Sequence, residues 1–542
     1  MTMEELIASS DLLNIAIDRY LCACTTFKTR CVQENVASTP YNIPRRFSER
    51  LAQELQRITS YATKINLAKV AIGRVNDLSV SVVPIHALPA EVLAYIFKLV
   101  CDMQPSPCIA SGRGVKRIIP PTYPDLFSYV CSRWRQIAIS SRILWAHIDL
   151  VGHHLLNQGL LARAEMHVSR AGQLPLDIHI LDPDPHSHPL EDIDPTSLTR
   201  FITSIGTRIR SLELHSRDRS DAFHQDVLSG CFASCTAGIF TQLTLWKEGE
   251  ESWESFMITA NSDTNQVSHL GSAFPLNVSQ QRLEDVWLHI SVLRLNRFFF
   301  GWESNAYRGV TELRPVSPVV TIIPELQLVA ILKSSPRLRV FQFGLLCQEQ
   351  LSAGTLVEPV GFTDLEVLDL SEMVCLHWPI LRWFAPGSKP LEYGTGCHNI
   401  LELQLSNISE YTEFFARSNI TKLRVRGAEY PALSNLVNYF PQVRSVVLTC
   451  SLFMPGTGRL GDLVLGLQLD SLYVLESEID LKALGWFVEE HPTQRLVFWD
   501  CTFHRSDLHI TDEQDIRNDL SRICTVIEFF DGNEPNPISD WD

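Results

Sequence analysis

Leu365-Glu366-Val367-Leu368-Asp369-Leu370 ends in the form x-Leu-x-Leu, which returns along the chain from about Thr199. It occurs before this stretch in Ile209–Leu214, Leu243–Leu245, Leu283–Leu288 and Leu338–Phe343. It follows in Ile400–Asn407, Ile420–Val425, Val443–Leu448, Leu472–Leu475 and Gln494–Phe498. Strict alternation predicts strands with one buried face. Helix-patterned pieces at Pro324–Ser334, Ala432–Phe440 and Leu481–Glu490 lie between them, often followed by Pro. Strand then helix then strand is the pattern of an α/β fold built on a parallel sheet.

The same alternation, with Leu401-x-Leu403-x-Leu405-x-Asn407 closest to the motif, is similar to the leucine-rich repeat. In that fold each unit buries its apolar residues by stacking on its neighbours. The resemblance implies an α/β solenoid over residues 199–532. The other fold open to this pattern is an irregular α/β domain with a parallel sheet. The number of strands and the lack of a Gly-rich phosphate turn after an early strand favour the solenoid.

A second organised stretch runs from Ile85 to Leu150. Pro89 suits a first helical position, where its missing N–H has no intrahelical partner, and Glu91 favours a helix N-terminus. Val92, Leu93, Ile96, Phe97 and Val100 follow at helical spacing. A second helix is expected from Asp125, carrying Phe127, Val130, Trp134 and Ile137 on one side. Three short helices cannot hide so much apolar surface, so part of it is expected to dock a partner.

Leu88-Pro89-x-Glu91-Val92-Leu93-x-x-Ile96-Phe97, then Val130-Cys131-x-x-Trp134 and Leu144-Trp145, resembles an F-box of fungal type. That three-helix module docks the Skp adaptor of cullin-RING ubiquitin ligases. The resemblance implies an adaptor-binding set of Leu88, Pro89, Val92, Leu93, Ile96, Phe97, Val130, Trp134, Leu144 and Trp145. Leu88, Pro89, Leu93 and Ile96 are expected in direct contact, and Trp134 and Trp145 partly in the module's own core. An insertion from about Asp102 to Tyr123 departs from the usual spacing. It either folds back over Leu93 and Ile96 or loops away.

The organisation expected is therefore a helical segment at 1–84, the F-box at 85–150, a linker with a strand and loop hinge at 151–198, the repeat domain at 199–532 and a tail at 533–542. Within the first segment, Leu6, Leu13, Ile17 and Tyr20 suggest a short helix, and Phe47 to Ile65 a longer amphipathic one. These form either a dimerisation arm or brace, or a hairpin buried within its own chain.

With 542 residues, 45% of them hydrophobic and 20% charged, the chain exceeds a single core. A formal charge of −16 argues against nucleic acid as a partner, since phosphate binding needs a concentrated basic surface. The acidic start Met1-Thr2-Met3-Glu4-Glu5 and the lack of a long apolar run predict no secretion and no membrane, with a cytoplasmic and/or nuclear location. The 14 cysteines are then expected to be reduced. Cys22, Cys24 and Cys31, and Cys231 with Cys235, lack the paired spacing of a zinc site and read as structural thiols. His179, Asp182, Asp184, His186 and His188 offer metal-capable groups, but the intervening prolines favour a solvated hinge.

No phosphate-loop, metalloprotease or hydrolase-elbow motif is present, so no catalytic residue, metal or cofactor is assigned. The expectation is a non-catalytic substrate receptor of a Skp, cullin and F-box ligase, binding the adaptor, through it a cullin, and a protein substrate. A scaffold that keeps an F-box-like module outside any ligase is the alternative, and an enzyme with a polar pocket in the repeat domain a more distant one.

Overall fold

A computed structural model describes residues 2–35, 45–76, 84–103, 122–152, 157–182, 196–217, 221–248, 254–260, 272–318, 320–352, 355–372, 378–396, 409–427, 430–437, 439–453, 467–505, 508–510, 512–532, 534 and 536–538. It falls into two compact units, Met1–Pro89 and Ala90–Asp542. The unit boundary thus lies inside the stretch 85–150. Most of the expected insertion, the motif Leu401–Asn407, Asp184, His186, His188 and the last four residues lie outside the described residues.

In the first unit, α1 (Met3–Asn35) and α2 (Arg45–Asn76) are long helices, followed by a 3-10 turn at Pro84–Ala87. Thr2 and Glu5 cap α1 reciprocally: the Glu5 amide donates to Thr2 Oγ1 at 3.3 Å, and the Thr2 amide to Glu5 Oε2 at 2.7 Å. This satisfies donors that a helix start otherwise leaves unpaired. The Tyr20 hydroxyl donates to Glu54 of α2 at 3.3 Å. Leu12, Leu55 and Leu67 remain 70%, 66% and 65% exposed. The two helices therefore do not bury their apolar residues as a self-contained hairpin would.

The second unit opens with α3 (Ala90–Asp102), α4 (Phe127–Val130), α5 (Ser132–Ser140) and a 3-10 turn at Arg142–Trp145. The helix expected from Asp125 is broken in two. Cys131 is extended, at φ −156° and ψ 171°, and its sulfur accepts the Trp134 amide as the cap of α5.

A fourteen-stranded, wholly parallel sheet follows, in which each strand lies beside its predecessor in the chain. Its first strands are β1 (His147–Val151), β2 (Leu176–Leu181), β3 (Ile209–Arg217) and β4 (Gln242–Glu248). The remainder are Val292–Asn296, Glu312–Val316, Val340–Gln342, Val367–Asp369, Leu391–Gly396, Ile420–Arg426, Ser445–Thr449, Leu469–Leu475, Thr493–Trp499 and Val526–Phe530. Helices α6 (Asn157–Ala171), α7 (Thr196–Ile205) and α8 (Asp221–Ser234) lie between the early strands in the chain.

Register explains the core. Ile148, Ile178, Leu212, Leu243, Leu293, Leu313, Phe341, Leu368, Tyr393, Leu423, Val446, Leu472, Leu496 and Ile527 form one row across all fourteen strands. Every one of them is buried. Period-two alternation turns the neighbouring positions to the other face, which carries His, Asp, Glu and Arg on the early and middle strands and, on the late ones, a second buried apolar cluster of Val447, Tyr473, Leu475 and Val497 with Ile538.

A second regularity sits at the strand ends. Arg297, Cys450, Glu476 and Asp500 have φ between 49° and 59°, and Gly427 has φ 70°, each directly after a sheet strand. The amides of Gly427, Cys450, Glu476 and Asp500 donate to the last residue of the next strand, at 2.9 to 3.1 Å. This left-handed residue bends the chain into a short second strand at Phe298–Phe300, Leu452–Phe453, Glu478–Asp480 and Thr502–Arg505.

Two expectations are corrected. The sheet starts at His147 rather than near 199, because Ile148 and Leu150, then Ile178 and Ile180, alternate inward as the later strands do; the strand expected within 151–198 is β2, the second strand of this sheet. Leu283–Leu288 lies not in a strand but mostly in the helix Gln280–Trp287, whose Ser279 cap accepts the Arg282 amide while Leu283, Val286 and Trp287 turn inward at helical spacing. The Phe298–Phe300 run is fully buried.

Away from the sheet, Glu325 is fully buried and ion-paired with Arg382. It also accepts Trp383 Nε1 at 2.6 Å and the Leu351 amide at 2.8 Å. Arg382→Met should cost about 3–5 kcal/mol in denaturant unfolding, because Glu325 is left charged and unpaired, whereas adding Glu325→Gln should recover much of that loss.

Candidate functional site

The helices that open the second unit are held by aromatic packing. Phe97 stacks on Phe127 with centroids 4.2 Å apart and meets Trp134 at 4.7 Å; Tyr123 lies 4.8 Å from Phe127. Such pairs contribute about 0.5–1.5 kcal/mol each beyond burial. Trp145 is wholly buried, donates from Nε1 to the Ala138 carbonyl at 2.7 Å, and is covered by the Arg170 guanidinium at 4.1 Å from its ring. Arg163 of α6 anchors the chain before α4, donating to Asp125 and to the Tyr123 carbonyl, both at 2.7 Å.

The residues assigned from sequence separate into two groups. Leu93, Phe97, Leu144 and Trp145 are buried and Trp134 and Ile96 half-buried, so these build or border the module's core. Leu93, expected in direct adaptor contact, is 0% exposed and can contribute only through shape. Val92 and Val130 are exposed, as is Pro89; Leu88 is half-buried in the first unit, its amide bonded to the Ile85 carbonyl at 3.2 Å.

The sequence reading missed the outer apolar surface. Tyr95 is 64% exposed and Leu99 43%, on the same face of α3 as Val92 at 42%. Leu126, Tyr129 and Ile143 are exposed as well. The signal was present in the three- and four-residue spacing of 92, 95 and 99, beside the inward pair Leu93 and Phe97. A helix apolar on both faces has one face too many for its own chain.

A different surface lies on the polar face of the sheet. A cavity of about 660 Å³ is lined by Glu213, Trp246, Arg294, Arg314, Glu372 and Arg426 among others. Glu213 is held at about 2: burial raises it, but the His215 hydrogen bond and the charges of His179, His215 and Arg294 prevail. Nearby, His147, Asp149 and His179 bring metal-capable atoms within 4.8 Å of one another. Asp182, the other described member of the expected hinge tract, is buried instead against His224 at 2.9 Å. Ser216 Oγ lies 3.4 Å from His224 Nδ1, but all three of these side chains are buried, out of reach of a substrate. Cys231 and Cys235 are buried thiols; Cys22 and Cys24 are exposed on α1.

No helix among the described residues is long and apolar enough to cross a membrane. Neither protein-family models nor curated proteins give a match to the chain.

Asp125 is held below its ordinary range: burial opposes this, but His167, 4.0 Å away, and the Arg163 guanidinium, bonded to it at 2.7 Å, outweigh it. A carboxyl lowered in the folded state contributes stability above its unfolded pKa of about 3.9 and loses it as pH falls through the lower folded value. Asp125→Asn should therefore destabilise the protein at pH 7, with the gap to the parent closing in acid, as read by urea midpoints across pH.

Proposed function

We propose that the chain is the substrate receptor of a Skp, cullin and F-box ubiquitin ligase, with the helices opening the second unit as an F-box-like docking module and the sheet as a leucine-rich-repeat-like solenoid. The solenoid reading is supported by strand order that follows chain order throughout, and by the left-handed residue recurring after successive strands. The docking reading is carried by one observation: α3 buries Leu93 and Phe97 inside its module while exposing Val92, Tyr95 and Leu99 on its other side. Exposed aliphatic and aromatic residues beside a rigid core are the usual anchors of a stable interface.

In this reading the adaptor binds the outer stripe, with Leu88 and Pro89 immediately before it in sequence, and bridges to a cullin. The polar sheet face and its cavity hold a protein substrate near the ubiquitin-loaded enzyme. Proximity then performs the work: the receptor raises the effective concentration of substrate lysines and needs no reactive group of its own. The protein would act in the cytoplasm, the nucleus or both. A scaffold outside any ligase remains the second reading, since the same stripe serves any helical partner.

Co-purification with a Skp adaptor separates the two. Val92→Glu with Leu99→Glu should reduce adaptor capture by more than about tenfold without lowering the melting temperature, since both side chains are already exposed. Leu88→Ala with Pro89→Ala should weaken it as well. Failure of the parent protein to bind the adaptor, or binding unchanged in both variants, would refute the ligase reading.

A further inference from the structure

Three successive strands each carry two polar residues two positions apart: His147 and Asp149 on β1, Asp177 and His179 on β2, Glu213 and His215 on β3. Period two turns both members of a pair to the same face. The parallel register sets Asp149 beside His179 and His179 beside Glu213. One polar row therefore crosses the starting edge of the sheet, where β1 has β2 as its sole neighbour in that sheet.

A neighbouring carboxylate favours one tautomer of His179. Its Nε2 lies 3.1 Å from Glu213 Oε2, and the other Glu213 oxygen is 2.7 Å from His215 Nε2. With Nε2–H donating to this carboxylate, Nδ1 carries the lone pair. That Nδ1 is buried, has no hydrogen bond, and points at Asp149 Oδ1 from 3.6 Å. His147 Nε2 approaches the same oxygen at 3.0 Å. A buried lone pair facing a carboxylate oxygen is unfavourable unless a proton or a metal cation lies between them.

Four-coordinate zinc has Zn–N and Zn–O bonds of about 2.0–2.2 Å, which places its donor atoms about 3.3–3.6 Å apart. The separations of 3.0 and 3.6 Å lie close to this, and all three donors fall within 4.8 Å of one another. Two imidazole nitrogens and one carboxylate suit zinc rather than magnesium or calcium, which favour oxygen. Glu213 stands where metal-binding histidines commonly have an orienting carboxylate.

We propose that His147 Nε2, Asp149 Oδ1 and His179 Nδ1 bind one zinc ion, which staples β1 to β2 at the sheet's edge. The fourth coordination position faces a cavity of about 200 Å³ that these three residues line together with Lys98, Cys101 and Asp102, and water fills it. Glu213 is a positioning residue that holds the His179 ring. This site is independent of adaptor docking and would stand if the ligase reading failed.

The test is zinc titration of chelator-stripped, full-length protein by calorimetry and by competition with a zinc-binding dye, with cobalt(II) as a spectroscopic substitute. One equivalent should bind. His147→Ala and His179→Ala should each weaken binding at least a hundredfold, and Glu213→Gln about 10–100-fold. The exposed His147 side chain makes its variant safe for folding, checked by circular dichroism without metal. The cobalt complex should show ligand-field bands without thiolate charge transfer, and Cys22→Ser with Cys24→Ser should leave the stoichiometry unchanged. No zinc uptake, uptake equal in the two histidine variants and the parent, or a thiolate spectrum would overturn the proposal.

Discussion

The structure depends on one constraint: a strand whose apolar row is buried needs its backbone groups paired, which neighbouring strands supply on both flanks except at the sheet's two edges. The row from Ile148 to Ile527 satisfies this by adding strands in chain order, each in parallel register with the last. Burying a side chain of this size is worth about 1.5–3 kcal/mol, so the row contributes about 20–40 kcal/mol, a small share of what must offset chain entropy. Because contacts are mainly between successive strands, damage at one position is felt first by its two neighbours. On the opposite face the late strands hold a second apolar cluster around Val447 and Val497, while the polar positions of the earlier strands line the cavity.

The helices before β1 meet a different requirement. Phe97, Phe127, Trp134 and Trp145 need a core of their own, and the 3-10 turn that carries Trp145 leads directly into β1. Arg163 and Arg170 of α6 reach back to Asp125, Tyr123 and Trp145, so the small core is fastened to the start of the sheet by charged and cation–π contacts. A rigid base of this kind lets α3 keep Val92, Tyr95 and Leu99 outside. An apolar stripe on a mobile helix would collapse onto its own chain.

Much of this was legible in the residues. Alternation of Leu212 with Leu214 or of Leu423 with Val425 translates directly into a strand, because period two has a single structural meaning when turns flank it. Leu283–Leu288 misled, since x-Leu-x-x-Val-Trp-Leu satisfies a loose strand pattern and an amphipathic helix equally; the Ser279 cap was the deciding mark. On α3, spacing named the apolar positions but not which of the two faces is inward, so Leu93 was taken for a contact residue although it is fully buried. The histidine row was beyond reach for another reason: His147, His179 and Glu213 meet only through register, and register between strands about 30 residues apart is not written in any local pattern.

The central claim is that the outer face of α3 docks a Skp adaptor, and hydrogen exchange of the full-length protein with and without the adaptor tests it most directly. The account predicts slowed exchange in Ala90–Asp102 and Phe127–Ser140 on adding adaptor, with the late strands from Ile420 onward unchanged. Protection confined to the sheet, or no change in α3, would contradict it.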